Sequence, residues 1–440
     1  MYKELSIVKK ENSKIIKGEW IMPIMLALVV AGTHMRLFSF AALGIAVLSA
    51  VFLSEEDMIS LLMFLMPFAG VFKSSPASQS FFTYLLLIYV CIKLISASSF
   101  DEGFFKGFII FVAFLVVQML ISVNILRSIK FALNILFLYF ALRSETKNSG
   151  KKIYLSYIMG MISSSAVAKF NLIANMNDFV GKIEMNVQEI DVERFTGLYG
   201  DPNYYSVNII LSLCLVVILN HKKQIGNILS ALLAGVLVMF SVMTYSKSAF
   251  LMLILPLIML IYSKIKQKKY LTMIVITVAT FVVGNMLLLG KIDAFNVIIA
   301  RLTESDDLSS LTTNRSDLWI LYVNHLIDSG ILIVVGNGFG AQFLVDVAAH
   351  NTYIDLLYYL GIIGTVMFGV VLYLITKSRK TGFKKNLLNY CPWISIAIMY
   401  FFLSELFYYD WAFHVMIAIL ISKTDLAQVK EGKNDEKICL

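Results

Sequence analysis

The sequence predicts an all-α fold: a polytopic helical integral membrane protein of about 12–14 transmembrane helices with two long loops on one face. Three observations carry this. Of 440 residues, 59% are hydrophobic and only 15% charged, with mean hydropathy +0.79; soluble domains are roughly half apolar and a quarter charged. Apolar runs recur along the whole chain, for example GFIIFVAFLVVQMLISV from Gly107 and YLTMIVITVATFVVGNMLLLG from Tyr270. Runs of about 18 or more such residues read as membrane spans, because a helix satisfies its own backbone in lipid. Finally, basic clusters fall at alternate ends of these runs.

Taken in order, the expected spans are 20–33, 37–53, 58–72, 81–98, 107–125, 128–142, 153–173, 205–220, 225–243, 248–263, 270–290, 352–376, 389–404 and 411–422. They group into an N-terminal bundle (1–173), a first outer loop (174–204), central helices (205–290), a second and partly helical outer loop (291–351), C-terminal helices (352–422) and a tail (423–440). RSETKNSGKK from Arg143, HKKQ from His221, SKIKQKK from Ser263 and KSRKTGFKK from Lys377 all fall on one side, with both termini. The positive-inside rule makes that side cytoplasmic. The net charge of +8 is then a topology signal, and no nucleic-acid partner is needed to account for it.

The N-terminal stretch MYKELSIVKKENSKIIKGEW carries no small-residue cleavage site, so the first span is expected to remain as an anchor. Cys91, Cys214 and Cys391 fall in spans and Cys439 in the tail, which supports neither a disulfide framework nor a metal site. The final KICL is not a prenylation box. Lys93 and Lys169 lie near span ends, where long side chains snorkel. No buried Asp/Glu/His relay is expected inside the spans, which weighs against an ion-coupled carrier.

Both outer loops lean acidic, and this makes their few arginines conspicuous. Topology does not require arginine there, and its planar fork suits phosphate. The plainer account pairs each with a neighbouring carboxylate, as Arg315 with Asp317. The loops end alike: RFTGLYGDPNYYSVN from Arg194 and GNGFGAQFLVDVAAHNTYIDLLYYLG from Gly336 both set glycines before a polar cap and a span. Asp201 reads as an N-cap with Pro202 as first helical residue, and Asn351 as the second N-cap. Helix N-termini facing outward are ready anion sites, so these ends, with Arg194 and Arg315 and with His350 beside them, suit a pyrophosphate. The alternative is two ordinary caps and an interfacial histidine.

Between the two ends, AFNVIIARLTE from Ala294 is amphipathic, with Arg301 on its polar side. TTNRSDLWILYVNHLIDSG from Thr312 predicts a loop helix capped by Thr313 or Asn314 and closed by Gly330. ILIVVGNGFG is too short to span and is expected at the membrane surface. In the turn TYSKSAF from Thr244, Lys247 is a phosphate contact or an interfacial anchor. Gly361, Gly364 and Gly369 are expected to serve close helix packing. GNGFG lacks the preceding strand of a dinucleotide fingerprint.

The ordered set Arg-Phe-Thr-Gly, Asp-Pro-Asn, Ser-Lys-Ser, Asn-Arg-Ser-Asp-Leu-Trp, Gly-Asn-Gly-Phe-Gly and His-Asn-Thr-Tyr, over roughly residues 190–376, resembles the O-antigen ligase and polymerase superfamily of bacterial envelopes. The resemblance implies a metal-independent, membrane-embedded glycosyltransferase working on the periplasmic face of the inner membrane, without a cofactor. Its donor would be an undecaprenyl-pyrophosphate-linked oligosaccharide. Membrane lipid, a chain-length regulator and a flippase of the same pathway are the further partners implied. Arg194, Arg315 and His350 match the residues implicated in catalysis; Asp201, Asn203, Lys247, Asn351 and Tyr353 are the expected substrate contacts. Lys247 departs from the arginine that relatives often carry.

The chemistry follows from the leaving group. Cleaving the sugar–phosphate bond develops charge on an anionic pyrophosphate, and Arg194, Arg315 and the helix ends at Asn203 and Asn351 are the expected donors. His350, or a carboxylate such as Asp201, is the expected proton acceptor. A polymerase acting on repeat units is the first reading, and a ligase to the lipid A core the alternative. A flippase of the same lipid-linked oligosaccharide would instead need functional charges lining a path between spans.

Overall fold

The computed structural model describes residues 18–71, 80–97, 100–120, 124–143, 150–172, 183–187, 190–270, 315–345, 347–378, 381–383, 387–404, 406 and 410–425. The first helices are α1 (Gly18–His34), α2 (Arg36–Phe52), α3 (Glu55–Leu65, continued by a 3-10 turn Met66–Phe68), α4 (Phe81–Ser96), α5 (Glu102–Met119), α6 (Ile125–Arg143) and α7 (Lys151–Lys169). A hairpin of β1 (Ile183–Val187) and β2 (Ile190–Arg194) follows, antiparallel, with Ile183 opposite Arg194. Then come α8 (Pro202–His221), α9 (Asn227–Val242), α10 (Lys247–Met252), α11 (Ile254–Lys266), α12 (Arg315–Asp328), α13 (Leu332–Val335) and α14 (Thr352–Ser378). The chain ends with β3 (Thr381–Phe383), α15 (Leu387–Tyr400), α16 (Asp410–Ser422) and β4 (Lys423–Asp425), β3 pairing antiparallel with β4.

The expected all-helical architecture is present. Every expected span except 270–290, which lies outside the described residues, coincides with a helix. Among the described residues five helices are long and apolar enough to cross a membrane: α5, α6, α8, the run Lys247–Lys266 that covers α10 and α11, and α14. Shorter apolar helices accompany them. The chain is a multi-pass membrane protein.

Side-chain caps set where several helices begin. Ser54, Asp101, Asp201 and Ser246 each accept a backbone N–H from the first turn of α3, α5, α8 and α10, satisfying groups that have no partner within a helix. The segment Thr313–Asn314, expected to cap α12, and the amphipathic stretch with Arg301 lie outside the described residues.

The chain divides into two compact units: Met1–Ile92 with Glu145–Asn314, and Lys93–Ser144 with Arg315–Leu440. The first is organised around α8, buried along nearly its whole length. Its polar side chains turn inward to their own helix, as Asn208 Nδ2 donates to Tyr204 O (3.0 Å) and Ser212 Oγ to Asn208 O (2.8 Å). A helix with small polar residues can thus be enclosed by others without orphaned groups.

In the second unit α14 is not continuous. Gly361 has φ 64 and ψ −175, breaking the helix, and Gly336, with φ 77, crosses the break. A Cβ on Gly336 would lie 2.4 Å from Tyr359 O, and one on Gly361 2.4 Å from Gly336 N. Backbone amides of the 336–338 segment fill the gap: Asn337 N donates to Tyr358 O (2.8 Å) and Gly338 N to Tyr359 O (3.0 Å). Gln118 on α5 donates to Val335 O (2.7 Å) and Tyr359 O (3.1 Å). The short ILIVV turn therefore docks into a broken span. The carbonyls of Tyr358 and Tyr359 at the break find donors in the segment that follows the turn and in Gln118, which is what lipid requires of interrupted backbone. Gly364 also serves close packing, facing Phe114, but Gly369 meets nothing within 4 Å, contrary to the packing expectation.

Buried ionisable groups are more numerous than expected. Asp355 in α14, and Asp410 and His414 in α16, are all buried, and His414 Nδ1 lies 3.0 Å from the Tyr400 hydroxyl.

Candidate functional site

In the first unit the residues of the expected first outer loop meet around one turn. Arg194 ends β2; its side chain is 8% exposed, and its Nε donates to Thr244 O at 3.0 Å. The next residue holds the same place, as Phe195 N donates to Met243 O (2.9 Å) and its ring stacks on Phe240. Gly197 adopts φ 57 where a Cβ would meet the Tyr205 ring at 2.5 Å, so the Arg-Phe-Thr-Gly run needs glycine at its last position. Beyond Thr244, Tyr245 is left-handed (φ 46), and Ser246 caps α10, whose first residue is Lys247. Ser246 Oγ donates to Asn203 Oδ1 (2.8 Å), tying the turn to the start of α8. Asp201 Oδ1 there accepts from Asn203 N (2.6 Å) and Tyr204 N (3.2 Å).

Beside this turn lies a cavity of about 340 Å³ whose walls include Lys169, Asn171, Glu193, Arg194, Thr196 and Tyr245. Lys169 shares it with Arg194, a role that sequence reading missed by treating the lysine as a snorkelling end residue. The signal was available: Lys169 is a cation at the end of its span expected to face outward, where topology requires none.

In the second unit, α12 organises the His-Asn-Thr-Tyr segment. Arg315, its first residue, donates through Nη1 to Phe402 O (2.8 Å). Trp319 Nε1 donates to Ala349 O (3.0 Å) and sets its ring edge-on to Phe401. Tyr322 donates to Val347 O (2.6 Å) and accepts from Leu344 N (3.1 Å); burial pushes its phenol up to about 12, so it stays a donor at neutral pH. His350 is thereby held in left-handed backbone, φ 51. Asn351 Oδ1 caps α14 by accepting from Tyr353 N (3.0 Å) and Ile354 N (3.2 Å).

Comparison with protein-family models, with curated proteins and with solved structures returned no match.

The geometry therefore stands on its own residues. Arg194, Asp201, Asn203 and Lys247 gather in the first unit, and Arg315, His350, Asn351 and Tyr353 belong to the second. Asp201 and Asn351 are the N-caps the sequence indicates. Their own oxygens occupy the N–H groups of the first turns, so the helix ends contribute dipole while the side chains carry the direct contacts an anion would need. Tyr353 uses its hydroxyl on Ala397 O (2.9 Å), linking α14 to α15. One turn beyond the cap, Asp355 is wholly buried. The Ser404 hydroxyl and the Ala349 amide face its carboxyl without full hydrogen-bond geometry. Nothing in the sequence distinguished it from a polar residue at a span end. Among the described residues no three His, Cys, Asp or Glu side chains come together as a metal-binding group.

Proposed function

We propose that this chain polymerises undecaprenyl-pyrophosphate-linked oligosaccharide repeat units into O-antigen or a related surface polysaccharide, on the periplasmic face of a bacterial inner membrane with both termini cytoplasmic. It acts as a metal-independent glycosyltransferase of the membrane-embedded type, within a bundle of about 12–14 spans. The observation that carries this reading is Arg194: a buried guanidinium that nonetheless lines a polar cavity of about 340 Å³ with a second cation, Lys169. The guanidinium is anchored through Nε on Thr244 O and borders the cavity, and its planar fork suits a pyrophosphate.

In the reaction, the bond between the anomeric carbon and the pyrophosphate oxygen breaks, and its electron pair leaves with the pyrophosphate. The acceptor hydroxyl forms the new glycosidic bond and gives up its proton. The leaving group is stabilised by a loop guanidinium, Arg194 or Arg315, and His350 takes the proton. Each charge-directed donor of this kind is worth about 100-fold or more in rate.

The test is substitution in cells that depend on this chain for their polysaccharide. Arg194→Ala or Arg315→Ala, whichever removes that guanidinium, is expected to abolish long-chain glycan at unchanged membrane levels of the protein. Replacing the same arginine with lysine is expected to rescue poorly, because a point charge does not reproduce a bidentate fork. Wild-type chain lengths in both alanine variants would remove the reading.

A further inference from the structure

A second and larger cavity lies in the first unit, among α1, α3 and α7. It measures about 1030 Å³, at the upper end of the range for sites that hold small molecules. Two kinds of lining divide it. Met22, Leu26, Phe64, Leu155 and Met159 make one part apolar, while Glu56, Asp57, Lys151 and Lys152 make the other charged. From Glu56 to Phe64 along α3 is about 12 Å at the helical rise of roughly 1.5 Å per residue. The cavity is thus long as well as amphipathic.

α3 and α7 cross closely beside its apolar part. A Cβ on Gly160 of α7 would lie 2.4 Å from Phe64 O of α3, so backbone meets backbone there. At the charged part, Ser54 caps α3 and its hydroxyl donates to Asp57 Oδ2 at 2.7 Å. Lys152 is paired with Asp57. Two charges of the rim stand outside that pair. Lys151 is exposed, and Glu56 has a buried Oε1 with no hydrogen-bond partner. Burial raises the Glu56 carboxyl above its ordinary range, with Lys152 opposing and Asp57 adding to the shift.

A buried acceptor without a donor, beside an exposed ammonium and an apolar trough, defines the ligand by its chemistry. We propose that this cavity is a binding site for a zwitterionic aminophospholipid. Its primary ammonium donates to Glu56, its phosphate meets Lys151, and an acyl chain lies along Leu26, Phe64, Leu155 and Met159. A choline headgroup has no N–H to give Glu56. A glycerol headgroup would place its phosphate on Lys151 likewise but offer Glu56 only a neutral hydroxyl, a weaker donor than an ammonium. The site is independent of the glycosyltransferase reading and uses none of its residues.

Native mass spectrometry of the purified full chain, titrated with phosphatidylethanolamine, phosphatidylcholine and phosphatidylglycerol of identical acyl chains, tests this. One phosphatidylethanolamine is expected to be retained about tenfold more tightly than phosphatidylcholine, the order of effect of one charge-assisted hydrogen bond. Glu56→Gln is expected to erase that preference, and Lys151→Gln to weaken both lipids alike. Leu26→Trp, which fills the trough, is expected to remove retention of all three while the chain stays folded. Equal retention of the ethanolamine and choline lipids, preference for phosphatidylglycerol, or an unchanged preference in Glu56→Gln would each overturn the proposal.

Discussion

His350 is a residue whose backbone and side chain make opposite demands. At φ 51 it sits in the left-handed region, which costs an L-residue roughly 1–2 kcal/mol relative to right-handed backbone. Glycine or asparagine would sit there more easily, so stability alone does not account for a histidine. If its imidazole accepts the acceptor hydroxyl's proton, His350→Asn separates the two demands. The variant is expected to melt at or above the wild-type temperature while its rate of glycan extension falls about 10²–10⁴-fold, the range for loss of a general base. Thermal unfolding and single-turnover kinetics on the same preparation check this, and an active His350→Asn would pass the base to another group. Arg194, Arg315 and His350 stood out in the sequence as candidates because they are basic groups in loops that lean acidic, where the expected topology requires no cation. Asp355 carried no such signal, because a single charge at a span end reads the same whether it meets solvent or is buried. Lys169 carried one, as a cation at an end where the expected topology requires none, but the snorkelling reading obscured it.

At the scale of elements, the crossing of Gly336 and Gly361 shapes the second unit. Both residues have positive φ, and each leaves no room for a Cβ against the other's backbone. Gly361→Ala or Gly336→Ala is therefore expected to abolish folding or leave little protein in the membrane. Gly369→Ala, in the same helix with open space around it, is expected to be neutral or stabilising by up to about 1 kcal/mol. Detergent-resistant yield and melting temperature distinguish the two classes, and equal tolerance at all three positions would contradict the crossing. Hydropathy located α14 almost to the residue, since composition alone decides whether a segment enters lipid. It did not reveal the break, because glycine in an apolar run reads equally as a packing notch. The hairpin of β1 and β2 was also hidden, lying in a polar loop without a two-residue Asn-Gly or Asp-Gly turn.

For the whole molecule, the multi-pass helical character is the feature that the sequence conveyed best, because composition alone decides whether a segment enters lipid. The sorting of lysines between its faces sets an expected sidedness. The contacts within each unit agree with that sorting. His34 reaches Leu172 O (3.2 Å) between segments both expected outside, and Asp101 N donates to the Tyr139 hydroxyl (3.0 Å) between two expected inside. Single cysteines in a cysteine-free background test the sidedness: Asn171→Cys is expected to react with an impermeant maleimide in spheroplasts, and Lys223→Cys only after permeabilisation. The reverse pattern would invert the expected topology and take the arginines away from the face on which the proposed reaction occurs. The central claim, new glycosidic bonds made at the expense of a lipid pyrophosphate, is tested most directly by incubating the purified chain with one undecaprenyl-pyrophosphate repeat unit, with and without lipid A core. A ladder of longer glycans from the donor alone is the predicted result. Transfer only when core is present would make the chain a ligase, and no new bond from a folded preparation under either condition would contradict the account.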